Sequence, residues 1–334
     1  MSAPVVIQHS SGTVEVGDPV NSKRRLTVRM SSPAEFSPMT VCETAYGDDL
    51  IRLILSVKGA AWLCSEIERD ENAASVQRYL EPELAAYFNL AELAGKRVLD
   101  FGCGAGASTM LLSRLLPRSE IVGVELMGDL LDVARGRLSH YGYTNVSLRQ
   151  SPDGGALPAD LGTFDLVVMS AVYEHLLPAE RQTIVAQLWR SLRPGGCLFL
   201  NQTPNLRFPI ELHTTGLPLI NYLPDAWTLM FARRFSRRVA PGESWESLLR
   251  RGIRGGSVTE ITKATGDPSA IRLAPQFGGV HDRVDLWFQS TNMARLRMVK
   301  RVARRALKAI EAATGAAIVP DLSLAFRKST KAGD

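Results

Sequence analysis

The sequence predicts an α/β fold: a doubly wound, mostly parallel seven-stranded sheet ending in an antiparallel hairpin, with a helical N-terminal cap and a C-terminal helix. Three observations predict it. Between residues 96 and 202, short apolar runs alternate with helical segments, and strands joined by helices of that length lie parallel, covered on both faces. The first run opens into a glycine-rich turn, VLDFGCGAGAST at 98–109. Near the end, AIRLAP and RVDLWFQS follow each other with no helix between, the pattern of an antiparallel pair.

Residues 1–42 mix Ser, Thr, Pro and Val without sustained periodicity, so a partly ordered arm is expected, with a short strand at RRLTVRM. Residues 43–94 carry helical periodicity in DDLIRLILSVKGAAWLCSEIERD and ASVQRYLEPELAAYFNLAEL, a helical cap. The core, 95–290, follows. KRVLDFG is a strand and ASTMLLSRLL a helix stopped by Pro117; EIVGVEL, NVSLRQ, FDLVVMSAV and GCLFLNQ are further strands. Between them GDLLDVARGRLSHYG and PAERQTIVAQLWRSL are helices, the second begun by Pro178. A Pro- and aromatic-rich insert at about 203–256 interrupts the rhythm, and helix SVTEITKAT resumes it.

Composition narrows the class. With 45% hydrophobic and 22% charged residues, the chain is expected to be a soluble globular enzyme. Cys42, Cys64, Cys103 and Cys197 form no C-x-x-C pair, which argues against a zinc site or disulfide scaffold and for a reducing, cytoplasmic compartment. The first residues show neither a charged leader nor an apolar core, and no apolar run approaches bilayer length. The overall charge is +5, but 291–334 carries ten Lys or Arg against three acids, so the body is near −2.

Gly102, Gly104 and Gly106 let a backbone approach a ligand where a side chain would clash. Alone, GCGAGA also fits a looser dinucleotide fingerprint, or a ligand-free strand-to-helix turn. No Gly-Lys-Ser/Thr follows, so it is not a Walker loop. Asp100, two residues before the first glycine, can meet an ammonium group, which a methionine moiety has and a pyrophosphate lacks. Glu125 ends the second strand, where a carboxylate can accept from two ribose hydroxyls.

The ordered series VLDFGCGAG, VGVE, FDLVVMSAVYEHL and LRPGGCLFL resembles the class I S-adenosylmethionine-dependent methyltransferases, which have a Rossmann-like core. The EHL after the fourth strand resembles their ubiquinone-biosynthesis-like small-molecule branch. The resemblance implies S-adenosyl-L-methionine as cofactor. It places Asp100, Gly102, Cys103 and Gly104 at the methionine end, Glu125 on the ribose and Leu126 beside the adenine. It also implies an acid for the adenine amino group, for which Asp153 in QSPDGGALP is the candidate. Ser170, Ala171 and Tyr173 would leave the fourth strand beside the sulfonium.

Methyl transfer to a hydroxyl requires loss of a proton, and a neutral histidine is the usual agent near pH 7. Among five histidines, His213 in the insert and then His175 after the fourth strand are the candidate bases. The insert also offers Thr214, Thr215, Asn221, Tyr222 and Trp227 as acceptor contacts. It sits at the carboxyl edge of the sheet, where open α/β folds bind ligands. No sequence cluster of His and Asp indicates a metal, so a metal-free site is expected. HTTGLPLINYLPD is similar to bacterial methyltransferases of surface-polysaccharide assembly, which implies O-methylation of a glycan hydroxyl, with a lipid-borne sugar as one form. A quinone-like or polyketide-like phenol, or a non-catalytic binding role, remain as alternatives. Nucleic acid is not an expected partner, since aromatics do not interleave with the cations.

In the tail, Met293, Leu296, Val299, Val302, Ala306 and Ile310 make a helical apolar stripe, with Arg295, Arg301, Arg304, Arg305 and Lys308 on other faces. Such a helix can lie on an anionic membrane as a peripheral contact. The alternative is docking on the body or on a second copy in a homodimer, which the alanines and the lack of Trp or Phe favour.

Overall fold

The computed structural model describes residues 5–34, 36–290, 297–314 and 318–330. The first forty residues are more organised than their sequence suggests. Strands β1 (Val5–His9), β2 (Gly12–Val16), β3 (Arg24–Met30) and β4 (Val41–Thr44) form a four-stranded antiparallel sheet in the order β1-β2-β3-β4. The expected partly ordered arm is therefore corrected. Its apolar alternation is real but spread over very short strands: Ile7, Val14, Val16, Leu26 and Val28 turn to one buried face. That face packs on α1 (Asp48–Lys58) and α2 (Ala60–Glu71), burying Ile51, Ile54, Leu63 and Ile67 with it. Helix α3 (Val76–Tyr87) completes the cap.

The main sheet has seven strands: β5 (Arg97–Phe101), β6 (Glu120–Glu125), β7 (Val146–Gln150), β8 (Phe164–Ser170), β9 (Leu192–Pro204), β10 (Ile271–Leu273) and β11 (Asp321–Arg327). Their order is β10-β11-β9-β8-β5-β6-β7, parallel from β9 to β7 and antiparallel at β11 and β10. Helices α4 (Ala107–Leu115), α5 (Gly128–Tyr141) and α6 (Pro178–Ser191) connect the parallel strands. The insert folds as α7 (Asp225–Phe235) and α8 (Trp245–Arg250) around its own small core of Ile220, Ala232, Val239, Leu248 and Ile253. Helix α9 (Val258–Ala264) follows, its first turn capped by the Ser257 hydroxyl, which accepts from the Glu260 N–H.

The expected hairpin exists, but with a different second strand. RVDLWFQS is helix α10 (Arg283–Ser290), and the partner of β10 is β11, from the C-terminal tail. A short apolar run is ambiguous between strand and helix; here Asp282 decides, its carboxylate accepting from the Asp285 N–H at 2.7 Å as a helix cap does.

Helix α11 (Arg297–Thr314) packs on α10 in an orientation opposite to simple amphipathic expectation. Lys308 bonds Asp285 and Asp282, Arg304 bonds Asp285, and Lys300 donates to the Phe288 carbonyl. Met298, Val299 and Val302 face outward. Buried Asp285 on α10 and Asp282 just before it draw the cations in, which turns the apolar stripe to the surface. Met293, Arg295 and Leu296 lie outside the described residues. Among the described residues no helix is long and apolar enough to cross a membrane.

Arg137 on α5 joins cap to core and has no exposed surface. Its guanidinium donates to Glu66 Oε1 at 3.1 Å, the Glu66 carbonyl at 2.6 Å, the Ala105 carbonyl at 2.7 Å and the Tyr46 hydroxyl at 3.0 Å. Tyr46 in turn donates to Asp70, which also pairs with Arg114 at 3.0 Å. Arg137→Ala would leave the Glu66 carboxylate with only Lys58, at 3.8 Å, and two carbonyls without their donor, and we expect a loss of about 3–5 kcal/mol, read as a lower urea midpoint; a midpoint within error of wild type would refute this account of the cap.

Candidate active site

The elements meet around one cavity of about 1100 Å³. Its floor is the loop after β5, with Gly102, Cys103, Gly104 and Ser108. One wall is the cap, with Trp62, Arg69 and Tyr79. The other end is built by Ser170, Ala171, His175, Gln202, Asn205 and the insert residues Ile210, Leu212, His213 and Asn221. The insert and the glycine loop thus face one space.

Two glycines shape the floor. Gly102 has φ +72°, and a Cβ there would sit 2.6 Å from a methyl of Val172, so the loop could not pass β8 with a side chain. Gly104 has φ +54° and nothing within 4 Å of the Cβ position, leaving bare backbone toward the cavity. Its N–H donates to Glu125 Oε2 at 2.9 Å, while Glu125 Oε1 accepts from the Leu126 and Met127 N–H groups at 2.8 and 3.1 Å. The Glu125 carboxylate therefore clamps the glycine loop to the end of β6.

Asp100 lies beneath the loop rather than on the cavity wall. It is buried, and one oxygen accepts from Ser108 at 2.7 Å and Thr109 at 2.6 Å. Burial pushes its carboxyl up to about 6, against the opposing effect of these two bonds.

At the far end Glu174, His175 and His213 converge. One donor atom from each lies within 4.8 Å of the others, and the two imidazole centroids are 5.5 Å apart. Burial lowers both histidine pKa values, and His175 lowers that of His213 further, which favours neutral imidazoles. Burial pushes the Glu174 carboxyl up to about 8. The turn bearing His213 is held by Glu211, whose buried carboxylate accepts from the N–H groups of His213, Thr214 and Thr215 and from the Thr215 hydroxyl. Ala171 and Gln202, both on the cavity, have φ of +54° and +58°, a strained conformation that neighbouring structure must hold in place.

Gly102, Cys103, Gly104, Ser170, Ala171, His175, His213 and Asn221 are brought to the cavity as the sequence suggests. Several others are not. Tyr173 turns into the core, its ring beside Arg181 at 4.9 Å, because the backbone leaves β8 in a short 3-10 turn. Thr214 and Thr215 are buried and spend their hydroxyls on the Arg251 carbonyl and Glu211. Tyr222 and Trp227 are exposed on the outside of the insert, Tyr222 donating to the Arg207 carbonyl. Asp153 closes its own turn, accepting from the Gly155 N–H at 2.8 Å. Leu126 is exposed beside Glu125. The expectation of no clustered donors is also corrected. The cluster joins the turn after β8 to the insert, and Glu174 and Glu211, which complete and support it, stand beside the more conspicuous histidines in EHL and ELHTT.

This sheet order, with a glycine loop at the first parallel strand and an acid closing the second, defines a Rossmann-like α/β core to which a cap and an insert are added. Residues 98–196 match the family model described as "Methyltransferase domain". The chain is 30% identical over 210 residues to a ubiquinone biosynthesis O-methyltransferase of Mesorhizobium japonicum, covering 62% of this chain and 75% of that protein. It is 27% identical over 136 residues to a demethylmenaquinone methyltransferase of Lactococcus lactis, covering 40% and 53% respectively. The solved glycopeptide N-methyltransferase MtfA shares 27% identity over 34% of this chain and 48% of its own, with a TM-score of 0.30. The chain spans about half the length of most of the curated relatives it matches. The chain belongs to the class I S-adenosylmethionine-dependent methyltransferases.

Asp100 yields a pH prediction. Its folded pKa is raised, so its contribution is fully present below about 4 and lost as pH rises through about 6. Relative to wild type, Asp100→Asn should gain about 3 kcal/mol of unfolding free energy between pH 4 and pH 7. Denaturant titrations across that range check it, and a constant difference between the two proteins would refute it.

Proposed function

We propose that the protein transfers the methyl group of S-adenosylmethionine to a hydroxyl oxygen of a small-molecule or glycan acceptor. The observation that carries this is the single cavity joining the glycine loop to the Glu174–His175–His213 cluster. The residues fit the cofactor. Bare backbone at Gly104 opens to the cavity, Gly102 permits the close passage, and the Glu125 carboxylate, which accepts from the Gly104 N–H at the end of β6, is the group we assign to the ribose hydroxyls. When bound, the cofactor supplies a methyl on a positively charged sulfur.

The chain's part is then alignment. The cap residues Trp62, Arg69 and Tyr79 cover the floor and exclude water. Ser170 and Ala171 border the space between the loop and the cluster. The acceptor hydroxyl lies against the cluster, so that its oxygen points back toward the glycine loop. The acceptor oxygen would gain the methyl as S-adenosyl-L-homocysteine leaves, and the hydroxyl proton would be released at the imidazole end of the cavity.

Polar Gln202, Asn205 and Asn221 on the wall support a polyhydroxyl acceptor such as a glycan. A second reading, a phenol of quinone type, is favoured by apolar Val76, Tyr79, Ile210 and Leu212 in the same cavity and by the name of the relative from Mesorhizobium. Product analysis tests the common claim. Methyl-labelled cofactor, incubated with the protein and cell extract, should give label in an ether stable to mild base. Label confined to an amine or a base-labile ester would overturn O-methylation.

Two substitutions divide the labour. Glu125→Ala should weaken cofactor binding by about 1.5–3 kcal/mol, measured by calorimetry; unchanged affinity would remove the ribose assignment. His213→Ala should slow turnover roughly 10²–10⁴-fold with cofactor affinity retained. Near-normal turnover would take His213 out of acceptor activation.

A further inference from the structure

The cluster holds a feature that proton transfer alone does not explain. Among the described residues neither oxygen of Glu174 has a hydrogen-bond partner, although its side chain is wholly buried. A buried carboxyl group whose oxygens have no hydrogen-bond partner is costly whether or not it carries its proton. The neighbouring cation, Arg181, is already committed to the carbonyls of Leu176, Gly255, Glu174 and Arg254 and to the Glu260 carboxylate. Two imidazoles stand beside this carboxyl group, and His175 Nε2 is 3.7 Å from Glu174 Oε1.

We infer that Glu174, His175 and His213 form a binding site for one divalent first-row transition-metal cation, which takes the acceptor oxygen as a further ligand. This deepens the proposed function and rests on it for the acceptor. Histidine orientation supports the site. His175 Nδ1 lies 2.7 Å from the Arg250 carbonyl oxygen. A carbonyl can only accept, so Nδ1 carries the proton and the Nε2 lone pair faces Glu174. Metal-ligating histidines are commonly held this way, through the other ring nitrogen on a carbonyl.

The backbone leaves room for the group. A Cβ at Gly252 would come within 2.7 Å of His213 Cδ2 and 3.1 Å of Glu174 Cγ, so a side chain there would wedge the ligands apart. Glu211 fixes the turn beneath His213. At a tetrahedral angle two donors about 2.1 Å from one ion lie about 3.4 Å apart. The observed 4.8 Å limit therefore asks for a closing-in of up to about 1.4 Å, which rotation of the exposed His213 ring supplies. Two nitrogens and one carboxylate suit Mn²⁺, Fe²⁺, Co²⁺ or Zn²⁺ better than the all-oxygen preference of Mg²⁺ or Ca²⁺. Three protein ligands leave positions open toward the cavity, where a hydroxyl and its neighbouring oxygen can bind. Bound there, the hydroxyl would be acidified by the cation and would give its proton to solvent in the cavity, the imidazoles serving as ligands.

The test uses the whole chain, dialysed against chelator and titrated with Co²⁺ while visible absorption is recorded. One Co²⁺ per chain should bind with new d–d bands. Glu174→Gln and His213→Ala should each weaken binding at least tenfold, and far-ultraviolet circular dichroism confirms that both fold. No saturable Co²⁺ binding, or binding unchanged in both variants, overturns the site. Methyl-ether formation is followed in the same samples. Transfer that survives chelation without Co²⁺ binding removes the cation and leaves the proposed function standing. Saturable binding lost in both variants, with no methyl ether from any hydroxyl acceptor, supports the site and removes the proposed reaction instead.

Discussion

A buried guanidinium organises this molecule. Arg137 sits on a core helix, yet its donors go to the second cap helix, to the tyrosine ahead of the first and to a carbonyl of the glycine loop. Cap and loop are thus referred to one rigid, planar group. Arginine suits this better than lysine, because its fork reaches several acceptors in fixed directions and stays charged when buried. The cap wall can then stand at a set height above bare backbone at Gly104. Without that height the cavity would have a floor and no enclosing wall.

The active end follows a second constraint, a carboxylate that organises a turn. Glu211 collects three successive N–H groups and a hydroxyl. The insert carries few regular elements near the cavity, so this local satisfaction of backbone donors holds His213 in place. The threonines seen in sequence as acceptor contacts are part of that support.

The parallel core was legible because its strands are continuous apolar runs between well-punctuated helices, and the glycine loop announced the floor. The N-terminal sheet was not, because strands of four to seven residues leave too little alternation to separate from Ser- and Thr-rich coil. RVDLWFQS misled for a related reason: eight residues with apolar Val284, Leu286 and Phe288 alternate as a strand would, and only the capping carboxylate before them made a helix. At the site, His175, His213 and Asn221 were found by chemistry. Tyr173 was misplaced because one 3-10 turn reverses which side chain reaches the cavity. Glu174 stood beside a more conspicuous histidine, and its isolation is a property of three dimensions.

The late strand β11 has a consequence for how the chain comes to be made. It lies between β9 and β10, not at an edge. Ser323 on it is bonded by Tyr87 and Glu83 from the cap. While the polypeptide emerges from the ribosome, β9 must present an open ladder until residue 327 is synthesised. Such an unpaired flank is the sort of surface that mispairs or recruits chaperones. Cap, central sheet and carboxyl-terminal segment are thereby tied to one another, and the sheet beside the cavity is closed only once β11 takes its slot.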